Sequence, residues 1–427
     1  VLNRFLTTSK NVERSSYLWN MAASIISAAQ SVVMLFGVSN ILGAEPTGIF
    51  SIATAQAFIF WTIGCFGVRR FQASDVNRLF TQREYIWSRV ITAGLMVVSA
   101  IVFLFYQMMR GTYDSYKLWV IVLMVALRLV DVIDDFFGGY FQQTGRLDIG
   151  SRMTTVRFAV TTVVFVGALI ATGDLLMSLL ITFGVSLGLL GVLVVVALRD
   201  YDPDRKSTAQ RTRVVQLLRA CFPLFLSTFM LMYINNSPRY GIDAVLDETA
   251  QANFGLIYMP VFIIYLLASL IFNPLIYKMS TYWLENQLKA FRRSVVVVSA
   301  IIAGVTLVCV LGGVTVGLPI LSWMSGLDLS GLTVELGVLL LAGGVIALST
   351  YFTTVLTIMR RQTATAWMLG VVTVCSLSAN LWASWLGVLG VCLLLLVLYA
   401  LNSLLTGGLL WWTLHRKEQS LHDKEST

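Results

Sequence analysis

The sequence predicts an all-α, polytopic membrane protein with about 12 transmembrane helices, and three observations lead there. Its 427 residues are 57% hydrophobic and 12% charged, with a mean hydropathy of +0.80. That is more apolar surface than a water-soluble core of this size can hide. The apolar residues gather in about a dozen runs of roughly 19–28 residues, each long enough to cross the hydrocarbon layer as a helix. The connections between these runs alternate between densely basic and nearly uncharged.

Taken in order, the runs predict helices at 17–42, 48–68, 87–108, 118–138, 155–173, 175–198, 219–246, 251–272, 295–317, 333–358, 364–386 and 388–412. The polar, basic start VLNRFLTTSKNVERSS leads into an apolar run too long for a signal-peptide core, so this run is expected to remain as the first span. With that start on the cytoplasmic side, an even number of spans returns the C-terminus to the same side. Every basic residue except Arg110, Lys117, Arg128 and Arg239 then falls on a cytoplasmic segment, as retention of Lys and Arg on that face requires.

The formal net charge of +8 does not indicate nucleic acid, because cations divided among loops make no continuous basic face with stacking aromatics. Cys65, Cys221, Cys309, Cys375 and Cys392 stand singly, without CxxC or a nearby histidine, and read as small residues of an apolar interior. The sequence has no GxxxxGK[ST] phosphate loop, and its two histidines, His415 and His422, lie in the polar C-terminal stretch. ATP hydrolysis, histidine catalysis and a histidine proton relay are disfavoured, and neither a metal nor a cofactor is expected.

The longest hydrophilic connection, RDYDPDRKSTAQRTR at 199–213, divides the spans six and six. The expected organisation is an N-terminal six-helix bundle at 1–198, a cytoplasmic linker at 199–218, a C-terminal six-helix bundle at 219–414 and a disordered tail at 415–427. An ungapped internal match agrees with this division: FGVSNILGAEPTGIF at 36–50 aligns with YGIDAVLDETAQANF at 240–254. Gly37 pairs with Gly241, Leu42 with Leu246 and Phe50 with Phe254, in the same direction across the membrane, as a parallel duplication requires.

An ionised side chain at the centre of a span costs on the order of 3 kcal/mol on insertion scales, so charge inside a predicted helix marks a cavity or a partner. The fourth span reads KLWVIVLMVALRLVDVIDDFFGGYFQQTGR, where Arg128, Asp131 and Asp135 share one helical face and Asp134 lies beside them. These acids are candidates for an inner gate or for a coupling ion. Equally, they lie a few residues before the polar QQTGR and are within reach of simple pairing with Arg128, Arg152 or Arg157.

The seventh span reads YINNSPRYGID, where Pro238 removes a backbone donor and predicts a broken helix among Asn235, Asn236, Arg239, Tyr240 and Asp243. By the repeat register Arg239 aligns with Leu35, roughly 10 Å below the outer surface, a position suited to binding an anion. The alternative is a kinked helix end with Arg239 snorkelling to the headgroups. In the first span Asn20, Ser24, Ser27 and Ser31 form a narrow polar seam, fit for a cavity wall or for plain helix packing.

SSYLWNMAASIISAAQSVVML from Ser15, GIFSIATAQAF and TIGCFGVRRFQASDV around the second span, QQTGRLDIG after the fourth and YINNSPRYGID in the seventh are phrases spread over nearly the whole chain. Together they resemble bacterial polysaccharide flippases of the Wzx type, exporters of O-antigen and teichoic-acid precursors within the multidrug/oligosaccharidyl-lipid/polysaccharide exporter superfamily. The resemblance implies two six-helix bundles around a central, often cationic cavity that opens alternately to each side, with coupling to a proton or sodium gradient in at least some relatives. It implies an undecaprenyl-diphosphate-linked oligosaccharide as cargo.

On that basis the substrate-binding candidates are Arg239, Asn235, Asn236, Tyr240, Arg128, Asn20 and Ser24, and the gating or ion-coupling candidates are Asp131, Asp134, Asp135 and Asp243. In the family pattern a Lys often stands in place of Arg239 and an Ala in place of Ser237, so this chain keeps the cation and changes its geometry. Arginine clasps a diphosphate bidentately where lysine acts as a point charge. The fourteen-span lipid II flippases have an extra pair of helices with no counterpart here.

The expected function is therefore transport rather than catalysis, at a bacterial cytoplasmic membrane. The expected partners are the lipid-linked glycan, the bilayer and other polysaccharide assembly proteins. A cation-coupled drug or metabolite antiporter of the same superfamily would instead recognise its cargo with the acidic fourth span. A membrane-embedded glycan polymerase would need a larger outer loop than the one near 318–332, whose single acid is Asp328.

Overall fold

The computed structural model describes residues 2–75, 78–199, 209–272 and 275–425, and among these the ordered elements are helices. A short α1 (Leu2–Thr7) precedes α2 (Val12–Leu42), α3 (Ala44–Cys65), the short α4 (Val68–Ser74), α5 (Gln82–Met109), α6 (Ser115–Gln143), α7 (Leu147–Thr172) and α8 (Leu175–Ala197). After the connection come α9 (Arg211–Val245), α10 (Glu248–Phe272), α11 (Leu275–Leu284), α12 (Leu288–Gly312), α13 (Leu318–Ser325), α14 (Thr333–Ile358), α15 (Gln362–Ser376) and α16 (Ala379–Glu425).

Helix starts follow local chemistry. Asn11, Asp114 and Asp174 accept hydrogen bonds from backbone N–H groups three residues on, at 3.0, 3.1 and 2.9 Å. Thr81 and Glu84 close a reciprocal capping box at the head of α5.

Every run read from the sequence falls on helix, and the protein is an all-α, multi-pass membrane protein. Nine helical segments among the described residues are long and apolar enough to span by length and composition alone. The charged α6, the α10 helix and the 15-residue α15 fall outside that measure. Along α5, Val90, Ile91, Val98, Ile101, Val102 and Phe105 are all exposed, a stripe of apolar surface that lipid must cover.

Three local expectations are corrected. Helix α7 starts at Leu147 rather than 155, because Arg152 and Arg157, which read as loop charges, are buried with partners inside the helix. The eleventh run is interrupted: α15 ends at Ser376, and a new helix begins at Ala379 and turns at Gly387, where φ is +60°. Glycine suits this left-handed position because it has no Cβ to clash. The stretch from 415, expected to be disordered, continues α16 to Glu425. A helix already nucleated propagates cheaply through Lys, Glu and Gln, and Gln419 bonds His415 one turn earlier at 3.1 Å. Of the expected linker at 199–218, residues 200–208 lie outside the described ones, as do 426–427 of the tail.

Two compact units emerge, Val1–Met232 and Tyr233–Thr427, with the division inside α9. In the first, Leu6, Val130, Phe141, Ile149, Met153 and Leu193 form a core that joins α1, α6, α7 and α8. In the second, Phe272, Phe291, Val298, Tyr351, Val355 and Leu410 join α10, α12, α14 and α16. The two windows of the internal match are both helix–tight turn–helix hairpins, α2–α3 and α9–α10.

Candidate functional site

In the second unit α9 and α10 form a hairpin around Leu246 and Asp247, and Asp247 Oδ1 caps α10 by accepting from Ala250 N at 2.8 Å. Arg239 lies as far before the end of α9 as Phe254 lies after the start of α10, so the hairpin brings the two to one level. The Arg239 guanidinium donates to Asn236 Oδ1 at 3.1 Å and lies over the rings of Tyr258 at 5.0 Å and Phe254 at 5.7 Å. Those two rings stack at 5.6 Å. Tyr240 packs against Tyr233 at 5.5 Å, and Asn235 Oδ1 accepts from the Tyr399 hydroxyl of α16.

A cation over an aromatic face is attracted by the ring's π density, and a guanidinium carries five N–H donors in a fixed fork. The planar guanidinium fork can donate two parallel N–H bonds to two oxygens of one carboxylate or phosphate group.

Pro238 does not break α9, contrary to expectation. It leaves the Ile234 carbonyl without its usual N–H partner, and the Ser237 hydroxyl donates to that carbonyl at 2.9 Å. Ser237 is fully buried, so Ser237→Ala leaves an acceptor unmet. The variant is expected to lose about 1–2 kcal/mol of stability, read as a lowered thermal unfolding midpoint in detergent, with Ser237→Thr closer to wild type.

The α6 charges form a different kind of cluster, in the first unit. Asp131 is held by Arg128 Nη1 and Arg157 Nη2, both at 2.7 Å, and Asp134 by Arg157 Nη2 at 3.0 Å and the Thr154 hydroxyl at 2.9 Å. Arg157, 2% exposed, also donates to Ser186 Oγ at 3.0 Å, while Arg128 lies 3.9 Å over the Phe58 ring. Asp135 is gripped by Arg69 at 3.2 Å and Arg89 at 2.5 Å.

Arg89 donates in addition to the Cys65 carbonyl at 2.9 Å, so one cation closes the carbonyl end of α3 and ties it to α6. Each α6 carboxylate thus meets at least one guanidinium. A cavity of about 30 Å³, lined by Gln30, Arg128, Asp131, Arg157, Thr161 and Ser186, adjoins the network and has room for only one or two waters.

The geometry pairs the acidic stripe with Arg128 and Arg157 rather than Arg152. Arg152 instead binds the chain around α1, donating to the Leu6 and Thr8 carbonyls at 3.2 Å and to Ser9 and Ser15 hydroxyls at 2.8 and 2.9 Å. Asp148 accepts from Arg146 at 3.0 Å and from Ser9, and its N–H donates to the Ser16 hydroxyl at 3.2 Å. Gln143 donates to the Asp75 carbonyl at 3.1 Å, and Arg69 to Gln142 at 3.5 Å. The segments SSY and GVRRFQASD therefore both bond to QQTGRLD.

Asn20 and Ser24 are exposed on α2, with the Ser24 hydroxyl turned back to the Asn20 carbonyl at 2.9 Å. Asp243 is half-buried one turn beyond Arg239. Sequence reasoning missed Tyr258, Tyr399, Arg89 and Gln30. The aromatic spacing Phe254–Tyr258 opposite Arg239 across a two-residue turn would have found the first, and the position of Gln30 beside Ser27 and Ser31 the last.

A protein-family model described as "Polysaccharide biosynthesis protein" matches residues 14–280, a stretch that includes both charge clusters. No curated protein matches the sequence significantly. Among solved structures, an inward-facing multidrug resistance MATE family transporter of the MOP superfamily matches with a TM-score of 0.66 at 11% identity, covering 96% of this chain and 99% of that one. A eukaryotic MATE transporter gives 0.60 at 13% identity, with 96% and 99% covered. A MOP superfamily transporter from Pyrococcus furiosus gives 0.51 at 13% identity, with 97% and 98% covered. At these identities the likeness is one of fold.

Proposed function

The chain belongs to the polysaccharide biosynthesis protein family, and from that premise we propose that it flips undecaprenyl-diphosphate-linked oligosaccharide repeat units across a bacterial cytoplasmic membrane by alternating access. The observation that carries this reading is the ring-held Arg239 on α9, a fixed cation inside a membrane-spanning helix whose N–H fork matches a diphosphate. Low surrounding dielectric strengthens such a contact relative to water. Asn235, Asn236 and Tyr240 supply further polar groups for the glycan. The basic ends of the helices face the cytoplasm in this reading.

A cation-coupled drug or metabolite antiporter is the second reading, and the likeness to MATE transporters favours it. The α6 acids weigh against it, because Asp131, Asp134 and Asp135 already have guanidinium partners and offer little net negative charge to a cationic drug or a coupling ion.

Lipid analysis of cells lacking the protein tests the proposal. Accumulation of a cytoplasm-facing polyprenyl-diphosphate glycan is expected. Normal glycan export together with lost efflux of cationic dyes would move the assignment to the antiporter.

A further inference from the structure

At one end of the second unit, three elements change from apolar to basic at a common level. The start of α12 carries Arg292, the turn after α14 carries Arg361, and α16 passes from Trp411 and Trp412 to Arg416 and Lys417. Phe291, Met359, Leu410 and Leu414 share one core cluster, which fixes that level. The exposed Trp412 ring holds two guanidiniums, Arg416 at 4.2 Å and Arg361 at 5.7 Å, and the exposed Trp411 ring holds Arg292 at 4.5 Å. Lys417 pins this stretch by donating to the Trp283 carbonyl at 2.8 Å.

Two cations on one indole repel each other. Among the described residues none of Arg292, Arg361 and Arg416 forms an ion pair. Of the nearby acids, Glu285 accepts from Gln287 at 2.8 Å, and Glu418 stands two residues past Arg416, on another side of the helix.

We propose that Arg361, Arg416 and Arg292, held on Trp412 and Trp411, bind the phosphate of an anionic glycerophospholipid at the membrane boundary. Tryptophan settles at headgroup level, and basic pockets between spans capture acidic headgroups. A guanidinium can donate two parallel N–H bonds to two phosphate oxygens. A lipid rather than free phosphate fits because Leu404, on the same α16 face as Trp411 and 75% exposed, continues the site as an apolar stripe for an acyl chain.

Native mass spectrometry of the full-length protein in detergent, titrated with phosphatidylglycerol or phosphatidylcholine, tests this. Wild type should retain phosphatidylglycerol selectively. The double variant Arg361→Gln/Arg416→Gln should bind it roughly 30-fold more weakly, from about 1 kcal/mol per cation. Lys289→Gln, which removes an exposed cation of α12 without a ring contact, should bind as wild type does.

Equal retention of the two lipids by wild type overturns the proposal, as does undiminished selectivity in the double variant. Displacement by inorganic phosphate as effective as by phosphatidylglycerol overturns the lipid assignment and leaves a plain anion site. Should the double variant lose its helical signal, Arg361→Lys/Arg416→Lys decides: intermediate affinity is expected, and wild-type affinity contradicts the bidentate contact.

Discussion

Arg157→Ala is expected to destabilise the protein by about 3–5 kcal/mol, the largest effect of any single substitution argued here. The cause is the stranding of charge. Removing the guanidinium takes partners from Asp131 and Asp134 together and leaves the buried Asp134 carboxylate with only the Thr154 hydroxyl. The measurement is unfolding in mixed micelles, read by helicity.

A companion variant separates charge burial from shape: Arg157→Met with Asp131→Asn and Asp134→Asn removes the set together, and well-packed neutral replacements of buried ion networks are often close to neutral in stability. Recovery to near wild-type stability is the expected result. A triple variant as unstable as Arg157→Ala would show that the network's hydrogen-bonded geometry, rather than charge compensation, holds α6, α7 and α8 together.

Arg239→Ala is expected to insert and fold yet lose transport by roughly a hundredfold, from loss of about 3 kcal/mol of charge-assisted contact with the cargo diphosphate. Arg239→Lys keeps the charge but not the planar fork, and should retain part of the activity. The readout is appearance of lipid-linked glycan in the outer leaflet of cells or proteoliposomes, normalised to inserted protein. Wild-type transport by the alanine variant would remove Arg239 from the cargo path. Similar losses in Tyr258→Leu would trace to orientation of the guanidinium, because that ring lies 5.0 Å from it.

The architecture was legible in the sequence because hydrocarbon imposes one rule on every span, a run of apolar residues about as long as the bilayer is thick. That rule places each helix and is silent about what charges inside them do. Arg69 and Arg89 read as topology signals on the same footing as Arg83 or Arg293, since local sequence does not reveal that a basic residue near a helix end turns inward to a carboxylate on another helix.

Pro238 misled for a related reason. Its missing N–H is a local fact, while the repair by Ser237 depends on a rotamer that only the folded helix defines. Arg239 was conspicuous because an isolated cation in an apolar run has few inexpensive explanations. Its aromatic holders were not, since Phe and Tyr are unremarkable in a membrane helix.

The internal counterions of α6 have an electrical consequence. Carboxylates matched by covalently tethered guanidiniums need recruit no ions from either compartment, so the first unit can keep the same net charge through every stage of a turnover. A membrane voltage does work of about 2.3 kcal/mol per elementary charge moved through 100 mV, and charges that neither arrive nor leave give it little to push on. Any voltage sensitivity of a transport cycle then belongs to the cargo and to groups outside α6, and the charge network around Arg157 acts as an electrically silent frame.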